Sequence, residues 1–259
     1  MWTNGAAMTA ALALSLAPDT VQSGALRERV HVLESRPGVR EVLLVTEGSA
    51  RPSDEQHAVI VLGGGGGGFA VTSRDGVPSV YGGLPLSQRQ RLANAIGGAV
   101  VALSPPTDRP VMDRSWRLSD DHVADMQTAV NWTKQQWPQA RTWVLGLNNG
   151  ALSAAVATAS IDDLAGAVLL SCVDEALDQP QKSDRMRVLA VRHRAERNTA
   201  SAMTGSTYGR TVVTVHDARQ VRPHGVEAVK APQFNGKEQQ VVDVVARWIL
   251  TGAAPDEIR

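Results

Sequence analysis

Apolar residues in this chain gather in short continuous runs, and longer stretches in which they recur at helical spacing lie between the runs. The runs over residues 42–45, 58–62, 99–103, 142–147, 165–170, 187–191 and 211–215 are mostly rich in Val and Leu, the pattern of strands buried on both faces. Ser119 to Trp137 reads as a helix. Ser119 is placed to cap it, Asp120 and Asp121 suit the positive end of its dipole, and Val123, Met126, Val130 and Trp137 recur at helical spacing. Pro138 ends it. A second helix is expected from Asn149. A third is expected over 237–250, with Val241, Val242, Val245 and Trp248 facing a sheet. Such alternation predicts an α/β fold with a mainly parallel central sheet and helices on both sides. Sheets of this kind bind ligands at the carboxyl ends of their strands, so the loops there are the ones to read for chemistry.

Two of those loops are glycine-rich. Six consecutive glycines at 63–68 follow the run at 58–62, where glycine lets backbone N–H groups approach a ligand with no Cβ in the way. No Lys-Ser or Lys-Thr follows, so this is not a phosphate loop of the G-x-x-x-x-G-K-[ST] type. An oxyanion-type loop is the functional reading; a tight turn packed beneath a neighbouring loop is the plain one. The second feature, Gly146-Leu147-Asn148-Asn149-Gly150, lies between an expected strand and an Ala/Ser-rich helix. With serine at its centre this would be a nucleophile elbow, a strained strand-to-helix turn. Asparagine tolerates positive φ, so Asn148 suits the central position, but its amide cannot attack a carbonyl as serine does.

Composition narrows the classes. The 259 residues suffice for one α/β domain with a sizeable core. Lys+Arg and Asp+Glu are both 26, which gives no sign of nucleic acid or an anionic membrane as a partner. Cys172 is the only cysteine, so no internal disulfide or Cys-rich zinc site can form; it reads as a buried thiol at a strand end. His31, His57 and His122 have no ligand-spaced partners, and neither a metal nor a cofactor is expected. Residues 6–17 are small and apolar, which marks residues 1–24 as a tail or a degenerate export signal ahead of a domain at 25–259. No stretch reaches the roughly 20 apolar residues of a membrane-spanning helix. Localisation stays open between export and the cytoplasm.

Four segments in order carry a resemblance over roughly residues 25–251: Val61-Leu62-Gly63-Gly64-Gly65, then Ser104-Pro105-Pro106-Thr107-Asp108-Arg109, then the Gly146 to Gly150 turn, then Phe234-Asn235-Gly236. In these the chain resembles the α/β-hydrolase superfamily, closest to its small bacterial members without a lid. The resemblance implies a three-layer fold with a mainly parallel sheet and no lid domain. It assigns the nucleophile position to Asn148. The acid position falls on Ala195 or Glu196, of which Glu196 alone can serve. The base position falls on Pro232. His224, eight residues earlier, is the possible substitute base, and Asp174 a possible proton carrier.

The resulting expectation is a catalytically degenerate hydrolase fold. It would bind a small carbonyl- or carboxylate-containing ligand, or a protein partner, through the backbone of Gly64, Gly65 and Asn149. Asp108 and Arg109 are placed to line the mouth or to lie solvated on the surface. Loss of a triad costs about 10⁶ in turnover in a serine protease, so ordinary esterase activity is expected to be very weak. An altered enzyme of proton-transfer, lyase or isomerase type, and a residual carboxylic-ester hydrolase, are the alternatives.

Overall fold

The computed structural model describes residues 21–23, 26–49, 56–74, 77–81, 83–172, 176, 179–183, 185–196, 210–216 and 234–259. The apolar stretch near the start, Asp174, His224 and Pro232 lie outside the described residues.

The strands are β1 (Val21–Ser23), β2 (Leu26–Arg36), β3 (Val39–Glu47), β4 (His57–Leu62), β5 (Ala70–Arg74), β6 (Val77–Tyr81), β7 (Ala99–Leu103), β8 (Arg141–Leu147), β9 (Gly166–Leu170), β10 (Arg187–His193), β11 (Thr211–Val215) and β12 (Glu257–Ile258). The helices are α1 (Arg89–Ile96), α2 (Arg114–Arg117), α3 (Asp120–Gln136), α4 (Asn149–Ser160) and α5 (Glu238–Thr251). Ten strands form one sheet in the order β1-β2-β3-β7-β4-β8-β9-β10-β11-β12. From β7 to β12 every pairing is parallel, while β1, β2 and β3 are antiparallel additions at one edge.

The continuous apolar runs are explained by burial on both faces. Along β4, Ile60 and Leu62 point to one side of the sheet and Val59 and Val61 to the other; Val144 and the pair Trp143 and Leu145 divide likewise on β8. Met126, Ala129 and Val130 of α3 and Ala151, Leu152 and Ala155 of α4 cover the first face. Leu92 and Ile96 of α1 and Val241, Val242, Val245 and Trp248 of α5 cover the second. The outcome is the expected three-layer α/β architecture. The cap of α3 also forms as expected: Ser119 Oγ accepts from the N–H of His122. Cys172 is buried just past β9.

Some elements were not evident in the sequence. β2 alternates too irregularly to read as a strand, because its outer face is open and Val30 and Val32 stand exposed on it. α1 is short, yet Gly97 closes it in the left-handed conformation at φ 61°. A buried ion pair then ties it to β2: Arg89 donates from Nε to Glu28 Oε1 at 2.8 Å and from Nη2 to Oε2 at 3.1 Å. The hairpin of β5 and β6 is a separate two-stranded sheet inserted after the glycine run.

Strand order fixes where chemistry can occur. β4 and β8 are parallel neighbours, with Leu62 opposite Gly146, so the glycine run after β4 and the turn after β8 leave the sheet side by side. Ser171 follows β9 and Glu196 follows β10 at the same end, since Leu147 pairs with Leu170 and Leu170 with Val191.

Candidate functional site

The turn after β8 is strained at its centre. Asn148 has φ 53° and ψ −117°, outside the left-handed helical basin that asparagine ordinarily visits. Its N–H donates to Leu170 O and its carbonyl accepts from Ala151 N, both at 2.9 Å, so the turn is locked between β9 and the first turn of α4. The flanking glycines are required by space. A Cβ on Gly146 would stand 2.0 Å from Gly150 O, and one on Gly150 would stand 2.2 Å from Leu62 O. α4 therefore begins directly against the end of β4. The N–H groups at the start of a helix lack intrahelical partners and favour negative charge.

The glycine run lies against this turn. A Cβ on Gly64 would be 2.8 Å from Leu147 O, and Gly65 takes a positive φ of 55°. Asn149 bridges the two features, donating from Nδ2 to Gly65 O at 3.3 Å. Every carbonyl from Gly63 to Gly66 is engaged by the protein. Gly64 O accepts from Gly67 N at 2.8 Å, and Gly66 O from Met112 N at 2.9 Å. Gly63 O and Gly65 O accept from Arg117 Nη2 at 3.1 and 3.0 Å. In a trans peptide the N–H points opposite to the C=O, so the N–H groups of Gly64 and Gly66 are directed away from Arg117.

Arg117 ends the short helix α2 and is 0% exposed. Its Nη1 donates to Ser153 Oγ at 2.7 Å, and Ser153 also meets His122 Nε2 at 2.9 Å. Burial lowers the Arg117 guanidinium to about 10, still charged at neutral pH. Burial first, and the Arg117 charge second, push His122 down to about 3, so its ring is neutral. No carboxylate pairs with Arg117 among the described residues.

The structure brings Gly64, Gly65, Asn148 and Asn149 together. Glu196 stands at the same end of the sheet. Burial raises its carboxyl to about 7 against a smaller opposing contribution from Ser171. Ser171 itself is buried and has φ 44°. Asp108 and Arg109 are engaged elsewhere: Asp108 accepts from Arg36 Nη2 at 3.0 Å, and Arg109 donates to Asp113 at 2.6 Å beside the Trp116 ring. Their loop reaches the glycine run instead through Val111, whose Cγ1 would be 3.0 Å from a Cβ on Gly66, and through Met112. A cavity of about 130 Å³ lies on the β8 side of the turn, lined by Leu84, Ser87, Leu147, Phe234, Asn235 and Glu238.

Sequence reading missed Arg117 and the partners of Ser153. An arginine two residues before a helix cap carries no periodic sign of burial; only the packing of α2 against α3 and α4 encloses it. Two further histidines pack against aromatic residues: His31 stacks on Trp132, and His57 Nδ1 accepts from Trp143 Nε1 at 3.1 Å. Among the described residues no group of three or more His, Cys, Asp and Glu could hold a metal ion, and no helix is long and apolar enough to cross a membrane.

No protein-family model and no curated protein matches the sequence. Solved structures do match the fold. A cold-adapted esterase from an Arctic intertidal metagenomic library is similar at TM-score 0.51 and 14% identity, covering 78% of this chain and 90% of the esterase. An arylesterase is similar at TM-score 0.55 and 11% identity, covering 88% of this chain and 85% of its own. The acylaminoacyl peptidase of Pyrococcus horikoshii is similar at TM-score 0.55 and 12% identity; 87% of this chain covers 41% of that enzyme. The chain has the α/β-hydrolase fold.

Proposed function

We propose that this protein uses a hydrolase fold to bind a small ligand through a carbonyl or carboxylate oxygen, without hydrolysing it. The observation that carries the reading is Asn148 in the strained position at the end of β8, beside a glycine run whose carbonyls are tied back. In α/β-hydrolases that position carries the nucleophile, and two backbone N–H groups nearby stabilise the oxyanion. An amide there provides no nucleophile. It does provide hydrogen bonding: Asn148 Oδ1 is buried and unbonded among the described residues. Because a half-turn of the amide exchanges O and N, its accessible end can offer a ligand a donor or an acceptor. The N–H of Asn149 at the start of α4 and that of Gly64 would receive the ligand oxygen.

The test combines short-chain p-nitrophenyl esters with a serine-directed fluorophosphonate probe. Turnover close to the uncatalysed rate and no labelling are expected. Robust turnover that disappears in Asn148→Ala would overturn the reading.

A second reading is an altered enzyme that moves a proton, favoured by Glu196, which burial raises to about 7 near the same turn. A metabolite screen with Gly64 and Glu196 variants separates the two. A pH–rate profile with no group titrating near neutrality would count against proton transfer.

A further inference from the structure

We infer that Arg117 makes the site selective for an anion, so that its ligand is a carboxylate and not a neutral carbonyl compound; this rests on the binding reading above. The side chain is wholly buried, and among the described residues its guanidinium hydrogen-bonds only neutral partners: the carbonyls of Gly63 and Gly65 and the hydroxyl of Ser153. Among the described residues its Nε is buried without a bond, and the titratable neighbour that it perturbs, His122, is held neutral. A buried charge is ordinarily paired, because removal from water is costly without an opposite charge. Here the described residues supply none.

The geometry indicates where the counter-charge belongs. Arg117 Nη2 holds two alternate peptides of the glycine run by their oxygens, which leaves the N–H groups of Gly64 and Gly66 facing the opposite way. Each peptide thus lies with its negative end on the guanidinium and its positive end outward. Charge and peptide dipoles act in the same direction, and α4 adds its positive end beside them. An anion on the outer side of the run faces a buried cation across a single layer of peptide. Water screens such a pair weakly, since the cation is enclosed. A neutral carbonyl would use the same N–H groups and gain much less from the charge.

The experiment is a titration of the ¹⁵N-labelled protein near neutral pH with butyrate and, separately, with its neutral isostere butyramide, following the amide resonances of Gly64, Gly66 and Asn149. Butyrate is expected to bind about ten-fold or more tighter than butyramide. Arg117→Lys should keep most of that preference, and Arg117→Gln should bring the two affinities to within about two-fold of each other, whatever their absolute level. Equal binding of the two ligands by the unaltered protein overturns this proposal and leaves the carbonyl-binding reading standing. No shift of these resonances with either ligand overturns both. Where Arg117→Gln fails to fold, the unaltered protein still tests the proposal, since equal binding of the two ligands overturns it.

Discussion

The hydroxyl of Ser153 on α4 lies 2.7 Å from Nη1 of Arg117 on α2 and links that guanidinium to the ring of His122 on α3. Three helical elements thus meet in a buried polar cluster directly beneath the glycine run. Removing the hydroxyl leaves two buried donors or acceptors without a partner. Ser153→Ala is therefore expected to cost about 2 kcal/mol, measured by urea denaturation, despite the small change in volume. An unchanged midpoint would mean that water replaces the hydroxyl.

The strain at Asn148 makes a different prediction. At φ 53° and ψ −117° any Cβ is unfavourable, and glycine relieves it at some entropic cost to folding. Asn148→Gly is expected to stabilise the protein by about 1 kcal/mol, raising the thermal midpoint by about 2–4 °C for a chain of this size. The same variant should bind ligand less well, because the side-chain amide is gone. Stabilisation with loss of binding is the pattern of a residue kept for function.

Glycines in this chain should divide sharply when replaced by alanine. Gly150→Ala sets a Cβ 2.2 Å from the Leu62 carbonyl, a rigid strand end, and should cost more than about 3 kcal/mol or abolish folding. Gly68 has open space and needs no positive φ, so Gly68→Ala should be neutral or stabilise by about 0.5 kcal/mol. Chemical denaturation of the two variants checks the contrast.

Glu41 gives the protein an alkaline sensitivity. It is 2% exposed; burial first, and then the charge of Asp125, raise its carboxyl from 4.5 to about 8. The folded state then holds a proton that the unfolded chain has already released, so stability is greatest below about 4.5 and declines as pH rises through about 8. Between pH 7 and 8 the decline from this group should approach about 1 kcal/mol per pH unit. Glu41→Gln should flatten it, as seen in unfolding midpoints across that interval.

His122 acts in the opposite direction. Burial first, then Arg117, lower its pKa from 6.5 to about 3, so the unfolded chain takes up a proton that the folded state refuses. Stability from this source is complete above 6.5 and is lost as pH falls toward about 3. His122→Gln should keep a partner for Ser153 while making unfolding less acid-sensitive over about pH 6 to 4, at up to about 1 kcal/mol per pH unit. An identical acid profile for the variant and the parent protein would show that the ring titrates freely.

Local patterns made much of the fold legible. The strands with continuous apolar runs, the capped helix α3 and the glycine-flanked turn at Asn148 each depend on neighbours close in sequence, so residue order alone predicted them. Strand β2 and the short helix α1 were not legible, because one face of β2 is open and α1 spans only eight residues. The site divided in the same way. Gly64, Gly65, Asn148 and Asn149 were visible as motifs and do lie together, whereas sequence left Asp108 and Arg109 open between the mouth and the solvated surface, and the fold sets their charges against Arg36 and Asp113.

By itself, then, the sequence determined the α/β alternation and which residue stands at the strained turn, since periodicity and glycine spacing are properties of adjacent positions. Only the tertiary structure decided what lies beneath the glycine run. Arg117, His122 and Ser153 come from separate elements and carry no shared spacing; their burial, and with it the neutral state of His122, exists only once α2, α3 and α4 have packed together.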